Sequence, residues 1–427
     1  MMNPEQIETS NAATIESHRC DLEHLGVQLQ RRGIDLNAVV AQLAAFEVAV
    51  PSWALGTGGT RFGRFPEPGE PRDVFEKMDD IAVIQQLTRA TPRVSLHLPW
   101  DEPDDPGALR DHATTLGLGF DAVNSNTFQD QAHQGLSYKF GSLCHTDPAV
   151  CAQAIAHNVH VIEVGRKLGS EALTVWLADG ANYPGQMHLR KSFFFNDTAT
   201  TEIYTALPRG WQLFTEHKPY EPAFYATVVQ DWGSSLMLAQ ALGSRASCLV
   251  DLGHHQPNTN VELVVARLVT AGKLGGFHFN DSKYGDDDLT AGSIKPYQLF
   301  LVFNELVDAS EAGVLDAAPA YMIDQSHNLK DPIEALLMTV DNLRQSYAKA
   351  LLVDRAALAY YQDTNDVVMA EQVLKAAYET DARALVAEAR QHSGGALNPI
   401  AAFRASGYRA AKTRERAGVA YTPPQSL

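Results

Sequence analysis

From about residue 47 onward, short β-branched or aromatic runs alternate with longer stretches of helical period, and this rhythm constrains the chain more than any other feature. Eight such runs can be counted, at 48–55, 93–98, 119–123, 172–178, 211–216, 247–251, 275–280 and 320–324. Helical stretches lie between them, at 71–90, 147–169, 221–242, 259–271 and 296–312. Such alternation builds a parallel sheet wrapped by helices, and eight strands favour closure into a barrel over an open doubly wound sheet. No GxGxxG or GxxxxGK[ST] string follows any run, which weighs against a nucleotide-binding alternative. The expected fold class is α/β, a (β/α)8 TIM barrel with an N-terminal helical segment and a C-terminal helical extension.

The boundaries follow from where the rhythm starts and stops. Residues 1–46 read as helix, with 36–46 amphipathic, and 47–345 carry the barrel. Residues 346–427 form the extension: Ala-rich helical stretches over 347–391, the pair Gly394-Gly395, then a basic tail over 404–416. Such a tail suits packing on a neighbouring subunit or lying in solvent. One segment, 192–204, breaks the pattern with three consecutive phenylalanines and several threonines, poor helix material that reads like translated sequencing-adapter sequence. Phe195, Ala199, Ile203 and Leu207 still recur at helical spacing, so a helix over 189–207 is expected, with Phe194 on its exposed side.

Charge and cysteine usage exclude several partners. Lys and Arg total 34 against 51 Asp and Glu, and the net charge of −17 repels a phosphate backbone. Nucleic acid is not an expected partner. Cys20, Cys144, Cys151 and Cys248 have no ligand spacing, and no charged stretch followed by an apolar export signal opens the chain, so reduced thiols in a cytoplasmic protein are expected. No apolar run approaches the roughly 20 residues of a membrane span.

In a barrel of this kind, the C-terminal ends of the strands converge on one mouth. The fifth run ends Phe214-Thr215-Glu216-His217-Lys218, and the sixth ends Val250-Asp251-Leu252-Gly253-His254-His255. The seventh ends His278-Phe279-Asn280-Asp281 and the eighth Ile323-Asp324-Gln325-Ser326. Four consecutive ends each offer a carboxylate or an imidazole. The loop after the seventh adds Asp286, Asp287 and Asp288, which repel one another unless a cation lies between them. An extended backbone would put Asp286 and Asp288 on one side. Carboxylate and imidazole without cysteine suit Mn²⁺, Co²⁺ or Mg²⁺, and the ligand count implies two divalent metal ions. Glu216, Asp251, His278 and Asp324 make one set; His254, Asp286 and Asp288 make a second, with Asp251 bridging. His255, Asp281, His217 and Asp287 point away from these neighbours and stay outside the ligand sets.

These strings, with the run from Gly276 to Asp288 and Asp324-Gln325-Ser326-His327, resemble the metal-site motifs of L-rhamnose isomerases in the xylose isomerase-like superfamily. The resemblance spans nearly the whole chain. It implies a structural metal held by the first set, a catalytic metal held by the second, and Mn²⁺ as the expected ion. It also implies interconversion of an aldose with a ketose, with L-rhamnose first and D-allose among other sugars, and a homotetramer.

Isomerisation needs ring opening, then movement of hydrogen between C1 and C2 while charge on O1 and O2 is stabilised. Lys218, two residues past Glu216, is the expected cation for O1, as in the superfamily. Hydrogen moves either as a metal-assisted hydride or as a proton through an enediol, and on the second route Asp324 or its metal-bound water is the expected base. His97, closing the second run, suits proton exchange in ring opening, with Asp101 to orient it. Trp53, Trp176 and Phe62 are expected apolar walls, Phe62 from the glycine-rich loop 56–65. The rival enzyme is a single-metal ketose 3-epimerase, which needs only the first set. A metal-dependent phosphodiester hydrolase would want a basic face, and a sugar-binding protein would need no metals.

Overall fold

The computed structural model describes residues 1–56, 65, 67–131, 134–188, 198–221, 225–315, 318–326 and 329–417. Eight parallel strands follow the expected order: β1 (Val50–Pro51), β2 (Arg93–Ser95 and His97–Leu98), β3 (Gly119–Phe120 and Val123–Ser125), β4 (Ala172–Trp176), β5 (Gln212–Glu216), β6 (Ala246–Asp251), β7 (Leu274–Phe279) and β8 (Ala320–Ile323). Each pairs with its sequence neighbour, from Val50 beside Val94 to Phe279 beside Ile323. Ala49 closes the ring: its N–H donates to Tyr321 O at 2.8 Å, and its carbonyl accepts from Ile323 N–H at 3.0 Å. The fold is a TIM barrel, its strands apolar on both faces because the side chains fill the interior on one and meet helices on the other.

Helices cover the outside, several started by an aspartate whose carboxylate accepts the free backbone N–H groups of the first turn. Asp73 precedes Val74–Thr88, Asp147 precedes Pro148–Leu168, and Asp331 precedes Pro332–Leu351. Gly165 lets one helix approach closely, since a Cβ there would lie 2.8 Å from Val123 and 2.9 Å from Trp211. At the N-terminal end of the barrel, the buried Arg344 guanidinium donates to the carbonyls of Thr88, Phe46 and Arg89.

One departure from the sequence reading bears on the site. The expected helix over 221–242 starts only at Trp232, capped by Asp231. The β-branched stretch before it instead forms a short antiparallel ribbon, Ala226–Thr227 against Gly180–Ala181, and Val229 O accepts from Lys218 N–H. The helical stretches expected over 347–391 are the end of Pro332–Leu351, then Arg355–Asp363, Val367–Tyr378 and Arg383–His392, with Asp354 and Asp366 capping new starts. The basic tail docks on the barrel: Arg404 pairs with Glu334, Arg409 with Asp331, and the buried Arg416 with Asp80. Of the unusual segment, Thr198–Ala206 is helical and Ile203 and Leu207 are buried; Phe194 lies outside the described residues. No helix among the described residues is long and apolar enough to cross a membrane.

Candidate metal centre

The ends of β5, β6, β7 and β8 bring Glu216, Asp251, His278 and Asp324 together. Each offers one ligand atom, and all four atoms lie within 4.8 Å of one another. His278 Nδ1 sits 3.2 Å from Glu216 Oε1, 3.4 Å from Asp324 Oδ2 and 3.7 Å from Asp251 Oδ2. A second group shares Asp251: His254 Nε2 is 3.4 Å from Asp286 Oδ1 and 4.0 Å from Asp251 Oδ1. His254 Nδ1 lies 3.0 Å from His217 O, and donating its proton there leaves Nε2 facing the acids. Asp251 is fully buried, held by Asn280 Nδ2 at 2.9 and 3.0 Å and by Gly253 N–H at 2.7 Å. A Cβ on Gly253 would lie 3.1 Å from Asp286 and 3.3 Å from Asp251, so glycine leaves the acids room.

The donor set fits divalent cations. Burial, with the charges of Asp324, Glu216 and Asp286, pushes Asp251 up to about 7. Burial works against charge on His278 as well, but Glu216 and Asp324 overcome it and raise the imidazole to about 10. His254 is likewise driven up, against burial, by Asp251 and Asp286. Glu216 stays below the usual carboxylate range because His278 and His254 outweigh the effect of burial. Acids this close, excluded from water, are balanced by protons on their neighbours, or by metal in the protons' place.

Lys218 stands at the edge of the second group. Its buried Nζ lies 2.5 Å from Asp286 Oδ2 and 2.5 Å from Glu221 Oε2, and 4.7 Å from the centre of the Trp176 ring. Facing the acids is an aromatic wall. His97 stacks on Trp100 with centroids 4.1 Å apart, and Trp53 meets its edge at 5.4 Å. Phe128 packs on Trp176 at 4.4 Å. Acids and wall line one cavity, about 550 Å³ of empty space with its mouth included, closed below by Asn124, Ser125 and Thr174. This is the size and mixture of a small-molecule site. Burial holds His97 neutral, down at about 3.

The structure thus gathers Trp53, His97, Trp176, Glu216, Lys218, His254, His278, Asp286, Asp288 and Asp324 around one cavity, with Asp251 beneath it. Phe62 lies outside the described residues. Asp288 lines the cavity but belongs to neither ligand group: its backbone is left-handed, with φ 46°, so the extended alternation expected from the sequence does not hold there. Asp287 turns back to accept the N–H groups of Lys283 and Tyr284. Nor does Asp101 orient His97. Its carboxylate is taken by Lys77 and Ser52, and His97 Nδ1 has no hydrogen-bond partner among the described residues.

Among the contributors that the sequence reading missed are Asn280, Trp100, Glu221 and Phe128. Asn280 was findable, two residues beyond His278 and therefore on the same side of the strand. Trp100 stands two residues past β2, as Trp53 stands two residues past β1. Glu221 opens the stretch read as helix, where a cavity contact is not expected, and Phe128 sits in a loop that carries no periodic signal.

No family model matches the chain. A probable sugar isomerase of Rhizobium meliloti is 57% identical over 420 residues, which cover 98% of this chain and 98% of that protein. A probable sugar isomerase of Mesorhizobium japonicum is 57% identical over 419 residues, 98% of this chain and 97% of that one. Among solved structures, that of an L-ribulose 3-epimerase matches with a TM-score of 0.51 at 17% identity, covering 72% of this chain and 98% of the other. That likeness speaks for the barrel alone. With relatives so similar from end to end, this chain belongs to the family of these probable sugar isomerases.

Proposed function

We propose that the protein is a two-metal aldose–ketose isomerase acting on L-rhamnose, with D-allose among further substrates, and that it works as a cytoplasmic homotetramer. The observation that carries the reading is the pair of ligand groups sharing Asp251, with Lys218 beside the second. A single-metal epimerase needs the first group only.

Glu216, Asp251, His278 and Asp324 would hold one ion; His254, Asp286 and Asp251 would hold the other, with Asp288 reaching it from the cavity wall. Bound Mn²⁺, or Co²⁺ or Mg²⁺ in its place, supplies Lewis acidity to two substrate oxygens at once. The protein's own groups do the rest. The aromatic wall with Trp53 and Trp176 presents an apolar surface to the carbon face of the sugar, and Phe62 is proposed as a further sugar contact. Neutral His97 stands within that wall and takes up hydrogen bonding to the ring oxygen as the ring opens. Lys218, fixed between Glu221 and Asp286, brings a full positive charge to O1 as charge develops there. Asp324 handles the hydroxyl proton on O2, its Oδ1 oriented by the Trp53 indole. The test is metal removal: exhaustive chelation abolishes ketose formation, and Mn²⁺ restores it at two ions per chain. Full turnover in chelated protein would overturn the proposal.

A further inference from the structure

Below the aromatic wall, three buried polar groups from three different elements meet. Lys77, on the helix Val74–Thr88, points its Nζ at Asp101 Oδ1 across 2.6 Å, and both side chains are at most 3% exposed. Ser52, fully buried, donates its hydroxyl to the other oxygen, Asp101 Oδ2, at 2.7 Å. Desolvating an ion pair is costly, and a hydrophobic trio of the same volume would serve stability as well or better. The location indicates what this group holds in place. Ser52 immediately precedes Trp53 in the turn after β1, and Asp101 immediately follows Trp100 in the turn after β2. Those two indoles meet at His97, and Trp53 Nε1 also donates to Asp324.

We propose that Lys77 is a positioning residue for the sugar cavity. It holds Asp101 against Ser52, so the turns carrying Trp53 and Trp100 are locked to each other and to His97. Without the clamp the two turns keep their local hydrogen bonds but are no longer tied to each other through Asp101, and the wall loses its shape. Lys77 touches neither substrate nor metal in this account. The inference rests on the cavity being the sugar site, but the clamp has a consequence that needs no sugar: it shields Trp53 and Trp100 from water.

Two variants test it in the full-length, Mn²⁺-loaded chain. Ser52→Ala removes one hydroxyl and leaves the ion pair intact. The double variant Lys77→Met with Asp101→Asn removes the ammonium without stranding a buried carboxylate. Both are expected to keep two ions per chain, to raise KM for the sugar that the wild type converts by about tenfold with kcat within about threefold, and to red-shift tryptophan emission without sugar. Wild-type KM and emission in both variants would overturn the clamp. A wild type that converts no sugar would defeat the proposed function, and the sugar-free emission of the two variants would still decide the clamp.

Discussion

The indole N–H of Trp53 donates to Asp324 Oδ1 at 2.8 Å, so the aromatic wall and the first ligand group are one hydrogen-bonded unit. A hydrogen bond to a carboxylate contributes about 1.5–3 kcal/mol, and this one also fixes which Asp324 oxygen faces His278. Trp53→Phe keeps the ring and loses the bond. It should lower kcat by about tenfold while leaving two ions bound, as steady-state kinetics and metal analysis would show. Unchanged kcat would mean that Asp324 needs no such orientation.

The two loop aspartates should separate in their effects. Asp286 belongs to the second ligand group and lies against Lys218, whereas Asp288 lines the cavity from a left-handed turn. Asp286→Asn is expected to reduce bound metal from two ions to one with the fold intact. Asp288→Asn should retain more of the second ion than Asp286→Asn does. Equal loss in metal analysis would place both aspartates on the ion alike.

What the sequence could and could not reveal divides along physical lines. A strand buried on both faces is almost wholly apolar, so the acid or imidazole that ends it stands out: Glu216, Asp251, His278 and Asp324 were all visible this way. Loop residues have no such background. Asp288 follows two other aspartates, and only its backbone torsion separates it from Asp286. Asp101 looked like a partner for His97 because it is near in sequence, but Lys77, 24 residues away, holds it. Within the helix expected at 221–242, Ala226–Thr227 pairs instead with Gly180–Ala181, a contact between loops that no local pattern announces.

Removing the Lys218 cation should cost more than any change in the wall. Its Nζ is buried between Asp286 and Glu221, where water cannot replace it. Lys218→Met is expected to lower kcat by a factor of about 10²–10³, as for loss of other groups aimed at developing charge, with a smaller change in KM. A fall of less than about threefold would remove Lys218 from the chemistry.

Metal and protons should compete at the cluster. In the metal-free protein His278 is raised to about 10 and Asp251 to about 7, while His254 is also raised. Groups with raised folded-state values contribute stability below their unfolded values, near 3.8 for the acid and 6.5 for imidazole. That stability is lost as pH rises through about 7 and then 10. Bound metal takes the protons' place, so its stabilisation should grow as pH climbs from 6 to 8. Melting temperatures with and without Mn²⁺ across that window check the sign, and a metal-induced gain that shrinks with rising pH would contradict it.

Hydrogen transfer has its own signature. The proposed pair of metals beside Lys218 would suit a hydride shift between C1 and C2, in which the carbon-bound hydrogen never meets solvent. Substrate tritiated at C2 should keep most of its label in the ketose after a single turnover. Complete loss of tritium to water would assign the transfer to a proton carried by Asp324.

Mn²⁺-loaded protein incubated with a panel of aldoses, L-rhamnose, L-mannose, L-lyxose and D-allose, reads out the isomerase directly when ketose formation is measured from each. Ketose from L-rhamnose is expected at the highest kcat/KM of the panel. No ketose from any aldose, together with C3 epimerisation when ketoses are supplied, would contradict it and make the chain an epimerase.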